Sequence, residues 1–351
     1  MKELISKFYS ETIITNIVQI RIIIFTSLFT SIIYLISNGG WEKFPDSYDY
    51  TQGIDAVLKN EDWYDYKIAF YPGVVYFSLP FALFFDNTTS IGLHNFVIYI
   101  LLGPILYIFI NKITEDKKFS MYGSLFYVTS FPVIYWGLGI LGDLGSWFFI
   151  ILSSYLIISI VNSNFERRRL ILGAILTGLG VLYKTTVGCV AIFFTLLVLK
   201  NPTKSKKTVL IHSWSIFAAI SFVPLLVNQF YIAELWNLSY DSFVTEKFST
   251  PDLTDYPPLK LTYTYKIYTF LIAFPIIPLS FLGLWNARNR INHINHLYVC
   301  LLFLSCLLMV LLLSRNIASP RWTFILFPSI YVFFAIGLRR VHEIISSRFS
   351  F

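Results

Sequence analysis

Eleven apolar segments follow one another along this chain, at roughly 17–38, 70–86, 91–111, 119–137, 144–162, 168–184, 186–199, 209–231, 266–286, 297–314 and 320–338. Most approach the ~20 residues that a helix needs to span the ~30 Å hydrocarbon core of a bilayer. Inside that core every backbone N–H and C=O must find its partner within the protein, so a succession of such runs folds as a bundle of helices. The expected architecture is an all-α, polytopic transmembrane bundle of about ten spans, a single domain over residues 1–351. Composition agrees. Hydrophobic residues make up 56% of the chain and charged residues 13%, against about 25% charged in soluble domains. The first run is not followed by a small-x-small cleavage site but by Asn38-Gly39-Gly40-Trp41, so it reads as a span and not as a cleaved signal peptide.

The net charge of +7 does not point to nucleic acid, because the basic residues sit in short loops between apolar runs. They report topology instead: loops rich in Lys and Arg face the cytoplasm. If both termini and the loops near 112–118, 163–169, 200–208 and 286–296 are cytoplasmic, 18 of the 27 Lys and Arg lie inside. The two long polar stretches, 39–69 and 232–265, are then extracytoplasmic. Between the first of these and Arg167-Arg168-Arg169 the number of crossings must be odd, yet four apolar segments lie there. Segment 70–86, with Pro72, Gly73 and Pro80, is expected to dip into the interface rather than cross. The alternative is one long broken helix over 168–199.

Stretch 39–69 carries seven acids: Glu42, Asp46, Asp49, Asp55, Glu61, Asp62 and Asp65. Tyr50 to Leu58 reads as a short amphipathic helix with Ile54, Val57 and Leu58 on one face. Trp63, Tyr64, Tyr66 and Tyr71 follow, as at a membrane interface. Most of these acids read as solvated loop charge. Asp46 and Asp49 stand apart in Pro45-Asp46-Ser47-Tyr48-Asp49-Tyr50, directly after the first span. Partly desolvated carboxylates there are suited to general-base work.

This layout of one span, a loop opening with Asp and a Tyr four residues on, a small amphipathic helix, and then Tyr71-Pro72, resembles the GT-C superfamily of membrane glycosyltransferases. It is most similar to the dolichyl-phosphate-mannose protein mannosyltransferase-like branch. Gly73 stands where many members have a second proline, and Ser47 where many have a second acid. Whether one or two carboxylates work here is therefore open. The resemblance implies a sugar donor carried on a polyprenyl phosphate, an Asp46 general base, and transfer with inversion to a glycan, lipid or protein acceptor.

Other charges stand where they ask for a reason. Asp143, in Gly142-Asp143-Leu144-Gly145, opens a span and reads either as a helix cap or as a site acid. It resembles the family's second acidic position, which binds a divalent metal in oligosaccharyltransferases. With no Asp-x-Asp here, a metal is not favoured and no cofactor is expected. Lys184 lies between two apolar runs, where an ionisable side chain is costly and functional by default, or else snorkels to the interface. Arg315 and Arg321 flank Pro320 before the last apolar run, on the side where the charge rule disfavours arginine. The resemblance assigns an Arg at this place to the lipid phosphate, and the guanidinium fork suits phosphate oxygens.

Cys189, Cys300 and Cys306 lie inside apolar runs and read as packing residues. His94 and His212 are isolated, and His293 with His296 lies in a cytoplasmic loop, so no metal site is expected. Asn87-Thr-Thr89 and Asn237-Leu-Ser239 match a glycosylation acceptor pattern that is common by chance. The resulting expectation is an integral membrane glycosyltransferase, of the hexosyl or pentosyl type, with its site at the extracytoplasmic face. Asp46, Asp49 and Asp143 are the catalytic candidates; Arg321, Arg315 and Lys184 are the candidates for holding lipid phosphate. A polytopic transporter or lipid flippase is the second reading, against which no repeat relates the two halves. An O-antigen ligase or polymerase, with its long loop in the second half, is the third.

Overall fold

The computed structural model describes residues 16–44, 46–59, 72–162, 167–200, 211–224, 226–227, 276–287, 294–314 and 324–349. All regular structure among the described residues is helical. In chain order we label α1 Ile17–Asn38, α2 Ser47–Lys59, α3 Gly73–Ala82, α4 Asn87–Thr114, α5 Lys117–Val128, α6 Phe131–Leu138, α7 Asp143–Asn162, α8 Arg167–Val181 and α9 Cys189–Lys200. They are followed by α10 Ile211–Pro224 and α11 Ile276–Ala287, then α12 Ile294–Ser314 and α13 Phe327–Phe349.

Four helices among the described residues are long and apolar enough to cross a membrane: Ile17–Asn38, Asn87–Thr114, Asp143–Ile160 and Phe324–Arg348. The chain is an integral membrane protein. Against the expected ten or so spans, the other apolar helices among the described residues are shorter, 10–17 residues each. Segment 119–137 is two helices, α5 and α6, interrupted at Thr129-Ser130 where Pro132 sits in the first turn of α6. Proline fits that turn and could not continue α5 as a regular helix.

The register between neighbours fixes direction. Along α4, Thr114 Oγ1 meets Ser120 Oγ at 2.9 Å, Gly103 O accepts from Ser124 Oγ at 2.6 Å, and Asn95 Nδ2 donates to Gly139 O at 2.6 Å. The pair α5–α6 thus runs back along nearly the whole of α4. Helix α7 returns beside α6, and α8 is antiparallel to α7: a Cβ on Gly180 would meet Phe149, and one on Gly173 would meet Leu156. Helix α9 folds back in turn. Phe217 of α10 packs on Phe194 of α9, with ring centroids 4.9 Å apart. Trp214 Nε1 donates to Thr195 Oγ1 at 2.8 Å, while Ser221 Oγ reaches Ala174 O at 3.1 Å. Moving along α10 therefore ascends α8 and descends α9, so α8 and α9 form a hairpin with Lys184 at its apex.

Helix α3 has ten residues, a rise of about 15 Å, half of a ~30 Å core. Three passes then separate α2 from Arg167, namely α4, the broken α5–α6 pair and α7. The opposite end of the bundle gathers basic residues. There Arg339 donates from Nη1 to Thr114 O at 3.2 Å and from Nε to Glu343 at 3.0 Å, with Asp116 at 3.9 Å.

Candidate functional site

Asp143 opens α7, and Lys184 closes the turn after α8. The antiparallel packing of those helices brings their ends together across 41 positions of sequence. The Lys184 ammonium donates to Asp143 Oδ1, and the two side chains are 16% and 3% exposed. Lys184 has extended backbone, φ −163° and ψ 141°, which breaks the helix between Val181 and Thr185 and turns the side chain toward α7.

The preceding residue anchors this turn. Tyr183 is buried, and its ring fills space left by glycines. A Cβ on Gly145 would come within 2.2 Å of that ring, and one on Gly73 within 2.7 Å. Gly73 N also donates to Leu182 O at 2.9 Å, tying α3 to the same turn. Tyr183 Oη meets His94 Nε2 at 2.9 Å, and His94 Nδ1 meets Asn95 Oδ1 at 3.2 Å. Asn95 Nδ2 donates to Gly139 O at 2.6 Å and Leu141 O at 3.0 Å, which leaves its Oδ1 as the acceptor facing His94. His94 then carries its proton on Nδ1 and accepts from the tyrosine hydroxyl. Helix α4 thereby holds both walls of the site: the 139–142 loop through Asn95 and the Lys184 turn through His94 and Tyr183. His94 was expected only to pack; its buried hydrogen bonds give it a positioning part that an isolated histidine in a sequence does not signal.

The stretch after α1 closes over the same loop. Ile140 N donates to Glu42 O at 3.0 Å. Phe44 stacks on Trp136 with centroids 4.8 Å apart. Ser47 Oγ accepts from Phe44 N at 2.8 Å and donates to Ile140 O at 2.9 Å. Ser47 and Tyr50 are buried; Asp46 and Asp49, on either side of Ser47, are half-buried. The buried face of α2 runs through Ser47, Tyr50 and Ile54, while Val57 and Leu58 are 38% and 45% exposed. This corrects the expected apolar face. The Ser47 bonds and the Tyr50 ring set the rotation of the helix, and the two aliphatic residues turn away from the core. Ser47→Ala should cost about 1–3 kcal/mol, since it strands a buried Phe44 N–H and an Ile140 carbonyl. A drop in the thermal unfolding midpoint of the detergent-solubilised protein checks this, and an unchanged midpoint would mean the loop is held by other contacts.

Asp46, Asp49, Asp143 and Lys184 thus lie at one end of the bundle, around the 139–142 loop. Lys184 was expected to face lipid phosphate; its ammonium rests on Asp143. Arg315 and Arg321 lie outside the described residues, as do Pro45, residues 60–71 and stretch 232–265. The chain resumes at Phe324, whose ring packs 6.4 Å from Trp136 and 6.0 Å from Trp147, one turn beyond Asp143. Among the described residues no three His, Cys, Asp or Glu side chains come together as a metal would require.

No protein-family model matches the chain, and no curated protein matches it in sequence. Solved structures do match in fold. The archaeal oligosaccharyltransferase AglB from Archaeoglobus fulgidus, in complex with an inhibitory peptide and a dolichol-phosphate, aligns at a TM-score of 0.62 and 11% identity, covering 98% of this chain and 52% of that one. A crystal structure of the Archaeoglobus fulgidus oligosaccharyltransferase with Zn and sulfate aligns at 0.61 and 12% identity, covering 94% and 50%. This chain spans about half the length of those chains. At such low identity the likeness is one of fold. Over nearly its whole length, this integral membrane protein shares its helical fold with about half of each of these oligosaccharyltransferase chains.

Proposed function

We propose that this protein is a membrane glycosyltransferase that takes a sugar from a polyprenyl-phosphate-linked donor and passes it, with inversion, to an acceptor at the extracytoplasmic face. The observation that carries the reading is the gathering of Asp46, Asp49, Asp143 and Lys184 around the 139–142 loop, at the end opposite the Arg339 cluster. It is supported by the fold shared with an oligosaccharyltransferase whose structure holds a dolichol-phosphate and an inhibitory peptide. The dolichyl-phosphate-mannose type of donor and the hexosyl or pentosyl class of sugar remain part of this proposal. A transporter with its site near the membrane midplane fits a cluster at the bundle end less well.

In this reaction the Asp46 carboxylate takes the proton of the acceptor hydroxyl or amine. The acceptor atom attacks the anomeric carbon from the face opposite the phosphate. The carbon–oxygen bond to phosphate breaks, and the polyprenyl phosphate leaves with the bonding electrons. We assign the base to Asp46, a half-buried carboxylate next to the Ser47 that fastens the 139–142 loop, and leave Asp143 to its ion pair with Lys184. Asp49 and Asp143 orient the acceptor and sugar. Arg321, with Arg315, opposes the charge that grows on the phosphate; fixed cations in a poorly hydrated site contribute several kcal/mol to such a step. Asp46→Asn should reduce transfer on the order of a hundredfold or more, the range for removing a general base. Transfer of radiolabelled sugar from polyprenyl-phosphate donors in membranes measures this. Full activity in the variant would move the base to Asp49, and activity lost in neither Asp46→Asn nor Asp49→Asn would sink the reading.

A further inference from the structure

We propose that Lys184 is the resident cation of this site, standing beside Asp143 where a divalent metal would otherwise be needed, so that the site works without one. The inference rests on the glycosyltransferase reading above. Asp143 is nearly inaccessible, and a carboxylate in such surroundings requires a countercharge. The fold supplies it covalently. The extended backbone at Lys184, and the Tyr183 ring locked between Gly145 and Gly73, hold the ammonium on Asp143 Oδ1. A divalent ion at this carboxylate would have to displace that ammonium or sit against it, two positive charges meeting a third.

The donor set is also wrong for a metal. Hard divalent ions gather six or more oxygens at short range, usually from several carboxylates. No three candidate ligands converge among the described residues. The nearest hydroxyl in sequence, Ser146 Oγ, is turned back along α7, where it donates to the Asp143 carbonyl at 2.6 Å. Lys184 is a positioning residue here: its ammonium neutralises the Asp143 carboxylate and occupies the place beside it that a divalent ion would need.

The test is Mn2+ binding to the purified full chain in detergent, read by electron paramagnetic resonance, with wild type compared against Asp143→Asn and Lys184→Met. Wild type is expected to hold no stoichiometric Mn2+ at millimolar concentration. Lys184→Met, which uncovers the carboxylate, is expected to bind it on the order of tenfold more tightly than wild type. Stoichiometric Mn2+ on wild type that Asp143→Asn abolishes would overturn the proposal. The wild-type measurement decides even if Lys184→Met does not fold. Sugar transfer measured in EDTA is a separate arm. Retained transfer supports the proposal, and loss restored by added Mn2+ overturns it. If no transfer is found under any condition the enzyme reading fails, while the binding result still reports on the Asp143–Lys184 pair.

Discussion

Replacing Lys184 with Met is expected to lower stability by roughly 3–5 kcal/mol, the range for stripping one partner from a buried ion pair. The lower end applies, because the Lys184 side chain keeps 16% of its surface exposed whereas Asp143 keeps 3%. Asp143 is the residue left in difficulty: its carboxylate has lost its ammonium and lies too deep for water to replace it. Leu144 beside it is fully buried and Trp147 nearly so, so the carboxylate stays in apolar surroundings once the ammonium is gone. The double variant Lys184→Met/Asp143→Leu should recover most of the loss, since apolar replacement of a whole buried pair is often close to neutral. Thermal unfolding of the wild type, both single variants and the double variant in detergent gives the coupling directly, and neighbours in contact couple by about 0.5–3 kcal/mol. A Lys184→Met midpoint equal to wild type would mean the pair contributes nothing to the fold, and one equal to that of the double variant would mean the stranded carboxylate carries no cost. The stability cycle also separates two parts that a lysine at this position combines. Lys184→Arg keeps the charge but needs more room beside Tyr183, so it should retain more stability than Lys184→Met while still disturbing transfer.

Each member of that pair was legible in the sequence as a cost. Lys184 interrupts two apolar runs, and Asp143 follows a glycine-rich break at the head of another. Their contact was not legible, because it depends on the α7–α8 register and on α9 folding back at position 184. Charge bias separated the first loop from the Arg339 end, and the two do lie at opposite ends of the bundle, but the way the loop is fastened was not legible. Ser47 read as a departure from the family pattern, an acid replaced by a hydroxyl. Its role rests on the Ile140 carbonyl, 93 residues away, and no local pattern encodes that. The break within 119–137 had a local cue in Thr129-Ser130 and Pro132, inside a stretch apolar enough to be taken as one segment. His94 and Tyr183 are harder still: a histidine and a tyrosine 89 residues apart become a pair only once α4 passes behind the hairpin. Helix length was the least legible feature. Apolar residues report burial in lipid or protein alike, and hydropathy cannot tell one long helix from two short ones.

Glycine to alanine at position 283 or 337 is expected to cost 3 kcal/mol or more, beyond the ~1–3 kcal/mol usual for overpacking, and to prevent recovery of monodisperse protein in the worse case. The two residues face each other where α11 crosses α13. A Cβ on Gly283 would lie 1.8 Å from Phe333 O, and one on Gly337 would lie 1.9 Å from Leu279 O. In both cases the obstacle is a backbone carbonyl, so no rotamer change relieves the clash; the helices themselves must separate. Close approach through small residues is how membrane helices gain packing in a solvent as apolar as their own side chains. Parting them forfeits contacts along the whole crossing, including the Ser280 Oγ donation to Ile330 O at 3.1 Å. Because one separation accommodates both methyl groups, the double variant should lose much less than the sum of the two single variants, a non-additivity expected of residues in contact. Gly188→Ala is the control: its added Cβ would meet only Met309 Cε, at 3.5 Å, and should leave the unfolding midpoint within experimental error. The displacement also reaches the site. The chain enters α13 through Phe324, which packs on Trp147 one turn beyond Asp143, so a helix pushed aside at Gly337 pulls on that contact. The surviving fraction of Gly337→Ala should therefore lose transfer activity out of proportion to its loss of folded protein. Activity per folded molecule equal to wild type would show instead that the crossing serves stability alone and that the site end of α13 moves independently of it.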